Sequence, residues 1–318
     1  MHLVELTNRS SSILMVQRTR KNGFPFPSWF RGGAMNDQVT EAYGEVGKVT
    51  VHHPTAISAL PTMDKDICHV EGKKRVAMII LLFHNRWGGE DEGAIKNIGQ
   101  SWREVNQRVL QTSPCTVALL VVNCGFREWS QAAMPKKVCL LFTGGPDDHK
   151  VLELGTRMAH HPAIRLAMVR FISHGEANDH RASYSLPASS PNLAMQKELD
   201  EVVIEEFKVK WNGTVEYIEM DARNITEEVL TVGKAKDYEL IIVGKGQQHL
   251  APTMLEKMKD YQADHAELGP IGDILSSSRD IMSSVLILQA KDSANSNGTT
   301  SQKIDREKST TIGIESSV

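Results

Sequence analysis

Long hydrophobic runs are missing from this chain of 318 residues. The longest, Val76–Phe83, spans eight residues, whereas a membrane-crossing helix takes about 20. Cysteine is sparse. Cys68, Cys115, Cys124 and Cys139 form no C-x-x-C pair, which argues against a zinc cluster and for reduced thiols in a cytosolic setting. No sign of charge dominates: 36 Lys and Arg stand against 39 Asp and Glu, a net charge of −3, so the chain carries no nucleic-acid footprint. The start, MHLVELTNRSSS, has no basic region followed by an apolar stretch and does not read as a secretory signal. Catalytic signatures are absent too. There is no G-x-S-x-G elbow, H-E-x-x-H, Walker lysine or H-x-E with P-C-x-x-C, so no catalytic residue is assigned and the chain is not read as an enzyme. His52-His53 and His160-His161 are adjacent pairs, not the i,i+4 spacing that presents two imidazoles to one metal. No metal site is assigned.

What the chain does contain is short apolar runs alternating with helix-period segments. In the second half the runs are Val138–Phe142, Ile164–Ile172, Val215–Met220, Leu240–Val243 and Val285–Leu288. Helical segments at Asp147–His160, Leu193–Lys208, Thr226–Lys236 and part of Met254–Ser278 separate them. That rhythm predicts βαβ crossovers and a parallel sheet covered on both faces. The first half repeats it, with runs at Leu3–Leu6, Val49–His52, Val76–Phe83 and Val117–Val122. Its helical stretches are Val39–Val46, Met63–Lys74 and Ala94–Gln111. In the last of these, Ile95, Ile98, Trp102, Val105 and Val109 share one face. The second half has five strands and the first has four. The expected fold is therefore α/β, two tandem open parallel sheets, the first lacking its opening strand and helix. On this reading Met1 is not the natural start of the fold.

The expected division is 1–130, a first and N-terminally incomplete α/β subdomain; 131–290, a second and complete one; and 291–318, a disordered tail with ten Ser or Thr in 28 residues. Ser173–Pro191 reads as a polar insertion. Arg18-Thr19-Arg20-Lys21 reads as a solvated basic loop. Phe24–Gly33, with Phe24, Phe26, Trp29 and Phe30, reads as an aromatic loop that either packs on its own domain or meets a partner.

Between the run Val138–Phe142 and the next helix stands Gly144-Gly145-Pro146-Asp147-Asp148. Glycines at a strand end let a ligand approach, and a helix N-terminus attracts anions. The sequence fits neither G-x-x-x-x-G-K-[ST] nor G-x-G-x-x-G, and Asp147 and Asp148 already occupy the positive end of the helix dipole. Helix capping by the two acids is the plain alternative. Two further loops, at Gly244-Lys245-Gly246 and Gly269-Pro270-Ile271-Gly272, are placed to converge on the same sheet edge. Gly144, Gly145, Asp147, Asp148, Gly244, Gly246 and Gly269 are thus the candidates for a nucleotide-sized pocket. In the first half, His84-Asn85-Arg86-Trp87-Gly88-Gly89 follows a strand at the matching place. It is either a packed strand-end loop or a site offering a base, an anion partner and a stacking face.

The segments FTGGPDDHKVLELGTRMAHHP (142–162), RVAMIILLFHNRW (75–87), YELIIVGKGQ (238–247), ELGPIGDILSS (267–277) and the first 23 residues resemble plant cation/proton exchangers of the monovalent cation:proton antiporter superfamily. The resemblance covers nearly all of residues 1–290 and falls in the long cytosolic C-terminal region of that family, which has two parts similar to universal stress proteins. It implies a cytosolic regulatory domain for an antiporter exchanging potassium or another monovalent cation for protons, with a role in potassium and pH homeostasis. The implied setting is the cytosolic side of an endomembrane or the plasma membrane, although this chain alone would be a soluble cytoplasmic one. The implied partner is a membrane domain outside this chain, so no transport residue is assigned, and a homodimer is a further candidate. Universal stress proteins that bind ATP use glycines after the fourth strand and before the last helix. Gly244, Gly246 and Gly269 match those positions loosely, but Pro270 replaces the expected small hydroxyl residue. A nucleotide, ATP or AMP, is accordingly the one cofactor to test. The competing reading is a stand-alone nucleotide-binding protein of the universal-stress type.

Overall fold

A computed structural model describes residues 5–8, 55–74, 76–83, 92–123, 136–172, 191–246, 258 and 264–291. Strands β1 (Glu5–Asn8) and β2 (Thr55–Ser58) pair in parallel as a small separate sheet. The first half continues with α1 (Met63–Lys74), β3 (Met78–Phe83), α2 (Glu92–Thr112) and β4 (Thr116–Val121). The second half runs β5 (Lys136–Phe142), α3 (Pro146–Ala159), β6 (Ile164–Ile172), α4 (Pro191–Trp211) and β7 (Glu216–Asp221). It ends with α5 (Ile225–Lys234), β8 (Leu240–Gly244), α6 (Gly269–Ser277) and β9 (Ser284–Gln289).

Strands β3 to β9 form one seven-stranded sheet in the order β3-β4-β9-β8-β5-β6-β7. Within the second half every neighbouring pair is parallel, and β5 sits in the middle with β8 and β9 on one side and β6 and β7 on the other. That is the doubly wound arrangement the alternating runs predict, with a switch point beside β5. The α/β fold class therefore holds. What periodicity does not predict is the seam between halves. β4 pairs antiparallel with β9, from Val117 opposite Gln289 to Val121 opposite Val285. The carboxyl ends of β3 and β4 consequently lie at the sheet end opposite those of β5 to β9.

Alternation along each strand feeds two apolar layers. On one face Cys139, Leu141, Ile241, Val243, Val285 and Ile287 meet helix residues such as Val105 and Val109 of α2, Val229 of α5 and Ile274 of α6. This layer runs unbroken across the β4–β9 seam, so both halves share it. On the other face Val138, Leu140, Phe142, Ile242, Leu286 and Leu288 meet Val151 and Leu152 of α3 and Ile204 and Phe207 of α4. In α2 the expected face is visible at Val105 and Val109, which are buried, and at Trp102, which packs against them.

One stretch of this second face is bare. α3 lies over β8, and Ile242 of β8 is fully buried, yet Ile80 and Leu82 of β3 are 58% and 55% exposed. Among the described residues no strand pairs with the outer edge of β3. The second half fills the corresponding place with β5 and α3. Several expected features lie outside the described residues: the strand Val49–His52, the helix Val39–Val46, the loops 18–21, 24–33 and 84–89, residues 173–190, His52-His53, Cys124 and the tail from 292.

Candidate functional site

All seven candidate residues come to one end of the sheet, at the switch point. β5 ends at Phe142, and the chain turns through Gly144 and Gly145, whose φ values of 116° and 96° are accessible to glycine with little strain. Pro146 then opens α3, its fixed φ suited to a first helical position and its missing N–H costing nothing there. β8 ends alongside at Gly244. The α6 loop closes on it so tightly that a Cβ on Gly269 would sit 2.2 Å from the Lys245 carbonyl oxygen. Gly246 is looser, since a Cβ there would lie 3.7 Å from an Asp147 carboxylate oxygen.

The backbone N–H groups of Thr143, Gly144, Gly145 and Gly244 already have acceptors. Asp148 is buried, and its Oδ2 accepts from Thr143 N at 2.7 Å, Thr143 Oγ1 at 2.9 Å and Gly144 N at 2.9 Å. Its Oδ1 accepts from Gly244 N at 2.9 Å. Asp147 Oδ1 accepts from Ala290 N, just past β9, at 2.6 Å. Gly145 N donates to both carboxylate oxygens of Asp200 on α4, at 3.1 and 3.2 Å. Asp200 is also held by His149 Nε2 at 2.6 Å and by Gln196 at 2.9 Å.

The plain capping reading therefore needs correcting. The N-cap of α3 is Gly145, and no side chain caps it. Asp148 reaches backwards to the loop and sideways to β8 because its place in the first turn points it into the sheet end. The start of α5 is arranged differently. Asn224 is the N-cap there but makes no side-chain cap bond, and it is Asp221 that accepts from Arg223 N, one short turn earlier. His160 and His161 serve the turn after α3, with His160 Nδ1 2.7 Å from the Thr156 carbonyl oxygen and His161 Nδ1 accepting from Ala163 N at 3.2 Å.

Electrostatically the acids divide. Burial pushes the Asp148 carboxyl up to about 6, against the lowering effect of its donors at Thr143, Gly144 and Gly244. Burial also raises Asp200, but hydrogen bonds from His149, Gln196 and Gly145 outweigh it and hold that carboxyl below its usual range. The result is a tied joint in which carboxylates on α3 and α4 bind the ends of β5, β8 and β9 together. Any incoming phosphate would have to displace carboxylates and face their charge. Among the described residues no group of three His, Cys, Asp or Glu side chains could hold a metal ion.

Sequence reasoning missed Asp200 and His149 because nothing local marks them, Asp200 lying 55 residues beyond Gly145 on another helix. It also missed a second polar cluster that spans the two halves. Arg103 of α2 donates to Glu267 at 2.5 Å, and Gln107 adds a 3.4 Å bond. Beside them His265 Nδ1 lies 2.9 Å from Asp273 and its ring meets Phe83 edge-on at 5.2 Å. Burial raises the Glu267 carboxyl, but the Arg103 guanidinium and its neighbours hold it below its usual value.

Comparison with known proteins gives consistent matches. Residues 1–124 match a family model described as a plant cation/H(+) antiporter domain, and residues 135–289 match one described as the C-terminal domain of plant cation/H(+) antiporters. Cation/H(+) antiporter 20 of Arabidopsis thaliana is 41% identical over all of this chain, which covers 42% of that relative. Cation/H(+) antiporter 19 of the same plant is 35% identical over 92% of the chain, covering 36% of its own length. The chain thus spans well under half the length of these curated relatives. Among solved structures, a universal stress protein from Archaeoglobus fulgidus is 12% identical, with a TM-score of 0.39, covering 92% of this chain and 97% of that one. A Pseudomonas aeruginosa protein described as a universal stress protein is also 12% identical, with a TM-score of 0.43, covering 92% and 93% respectively.

Proposed function

The chain belongs to the plant cation/H(+) antiporter family, and from that premise we propose that it is the cytosolic regulatory part of a monovalent-cation/proton antiporter. In this reading the exchange of potassium for protons takes place in a membrane domain outside this chain, at an endomembrane or the plasma membrane, and serves potassium and pH homeostasis. The observation that carries the reading is the near end-to-end match to two antiporter family models, one of them a C-terminal domain. Consistent with it, no helix among the described residues is long and apolar enough to cross a membrane.

The proposed division keeps two α/β units, 1–130 and 131–290, now seen to share a sheet and one apolar layer. Among the described residues no strand takes the place beside β3 that β5 takes beside β8. The seven candidate residues act in this reading as a joint that fixes α3 and α4 to the sheet end. Regulation follows when a signal changes the charge on that joint or on a surface packed against the membrane domain. No enzymatic step is part of the proposal.

The test is ion flux. The full-length protein carrying this segment is expressed in potassium-uptake-deficient yeast, and rubidium uptake is measured from pH 5 to 7.5 beside a Gly244→Val variant of matched membrane abundance. The variant is expected to shift the pH profile. Superimposable profiles, also after removal of residues 1–290, would end the regulatory reading. The competing nucleotide role is separated by calorimetric titration of the chain with ATP and AMP. The occupied amides predict no heat of binding at millimolar ligand, and saturable binding abolished by Gly244→Val would establish the competitor.

A further inference from the structure

Helix α4 is apolar on two opposite sides. Its inner side supplies Ile204 and Phe207 to the buried layer, with Val203 and Trp211 packed against them. Its outer side carries Met195, Leu199, Val202 and Val209, which are 58%, 49%, 55% and 78% exposed. The intervals of four, three and seven are those of a coiled-coil seam, with Glu206 at the one remaining seam position. A surface helix ordinarily carries one apolar stripe, facing the core, with polar residues opposite, and from Met195 to Val209 this second stripe runs for about 21 Å at 1.5 Å per residue. A shallow groove lies along its C-terminal part, lined by Val202 and Val209, by three acids, Glu201, Glu205 and Glu206, and by one base, Lys210, whose Nζ lies 5.4 Å from the centre of the Trp211 ring.

Charge restricts what can cover it. At 100° per residue, Glu198, Glu205 and then Glu201 line one flank of the stripe, and all three are exposed. Glu201 pairs with Arg170, and Glu205 pairs with Lys208 at 3.2 Å. Glu198 and Glu206 make no ion pair among the described residues. A second copy fits badly. Antiparallel pairing centred on Val202 sets Glu198 against Glu206 of the other copy, and parallel pairing sets Glu206 on Glu206 in the seam. Like charges in those positions reject a partner. An anionic lipid surface is repelled by the same acids.

We infer that the outer face of α4 is a docking surface for an amphipathic helix with a basic flank, carrying Lys or Arg opposite Glu206 and along the row facing Glu198 and Glu205. The inference stands on the stripe and its charges and is independent of the antiporter reading. Its test uses two labelled 21-residue synthetic helices with leucine at the seam positions, one flanked by lysine and one by glutamate. Fluorescence anisotropy is expected to show micromolar binding of the lysine peptide and at least about tenfold weaker binding of the glutamate peptide. Leu199→Asp and Val202→Asp should each weaken the lysine peptide about tenfold or more, while Glu198→Lys with Glu206→Lys should invert the preference. Because all four positions are solvent-exposed, the thermal unfolding of each variant should match that of the parent, which separates lost docking from lost folding. Equal binding of both peptides, or none at about 200 μM where a hot-spot interface should saturate, would overturn the inference. So would a dimer in sedimentation that Val202→Asp dissolves, which would give the face to a second copy.

Discussion

Replacing Asp148 by alanine should loosen the sheet end more than any other single change there. The carboxylate serves the amides of Thr143, Gly144 and Gly244 and the Thr143 hydroxyl. Each buried donor left without an acceptor costs about 1–3 kcal/mol, and with some water entry the loss is roughly 3–5 kcal/mol. For a fold of this size that corresponds to a melting point lower by roughly 6–20 °C. Acidity adds a second signature. Burial raises the folded carboxyl from 3.8 to about 6, so the proton is held more tightly in the folded state. The stability linked to that proton is present below the unfolded value and is lost as pH rises through about 6. The span is about 3 kcal/mol at 1.36 kcal/mol per unit. A buried charge can thus be costly to hold and still costlier to delete. Asp148→Asn separates the two effects. Asparagine cannot titrate, and whichever way it lies its NH₂ faces a backbone N–H. It should cost about 2 kcal/mol at pH 7, and the deficit should widen at pH 5, where the parent gains and the variant does not. Urea unfolding at both pH values measures this. An alanine variant within about 1 kcal/mol of the parent, or an asparagine deficit that narrows on acidification, would refute the reasoning.

Other changes probe the same joint and the contact between halves. Gly244→Ala places a Cβ 2.2 Å from Asp148 Oδ1 and 2.9 Å from Asp147 Cβ, so denaturant unfolding should show a loss of about 1–3 kcal/mol. Gly269→Ala should cost at least as much, since its φ of 70° and the rigid Lys245 carbonyl leave no relief. Asp200 is held below the usual carboxylate range, so its stabilisation is present above that range and is lost as pH falls through the folded value. Asp200→Asn should flatten the acid limb of a stability-against-pH curve, and an unchanged limb would count against the His149–Asp200 pairing. Glu267→Gln removes the acid that Arg103 and Gln107 share. Hydrogen exchange should then rise in α2 and the 264–268 turn together, because the cluster joins the two halves.

Local pattern carried the elements, and distance hid their arrangement. Ile164–Ile172 is legible because its apolar residues, interrupted only by Arg165 and Arg170, stop at the polar Ser173, and β6 occupies those residues without a shift. α1 likewise begins and ends where its segment does. β2 (Thr55–Ser58) answers to no expected run, and elsewhere ends moved by one to three residues, as at β5, which begins at Lys136 because Lys136 N donates to the Ala163 carbonyl. The β4–β9 seam was not legible. An antiparallel register between Val117 and Gln289 is a property of two segments far apart in the chain, and no period within either segment encodes it. The glycine loops were legible as a place but not as chemistry. Which acceptor the Gly145 amide would find depended on Asp200, whose surroundings in sequence look like any exposed helix. The second stripe of α4 was written plainly at 195, 199, 202 and 209, but a helix apolar on both sides shows no single face for a periodicity reading to follow.

The opposite polarity of the two halves bears on how a signal could travel. The glycine joint sits where β5 and β8 end, whereas β3 and β4 end at the other side of the sheet. Among the described residues the joint therefore lies at the amino ends of β3 and β4, not at their carboxyl ends. The route from it to the first half runs through what the halves share: the β4–β9 ladder, the common apolar layer, and the bond from Gln289 Nε2 to the Leu110 carbonyl at 2.7 Å. Gln289 also accepts from Lys245, next to Gly244, at 2.7 Å. A chain of bonds thus leads from the joint to the C-terminal part of α2. Gln289→Leu keeps the bulk of this side chain while removing both bonds. If the joint speaks to the first half along this line, loosening Asp148 should raise hydrogen exchange in α2 of the parent but not further in the Gln289→Leu background. Additive effects in the double variant would assign the two halves to independent responses.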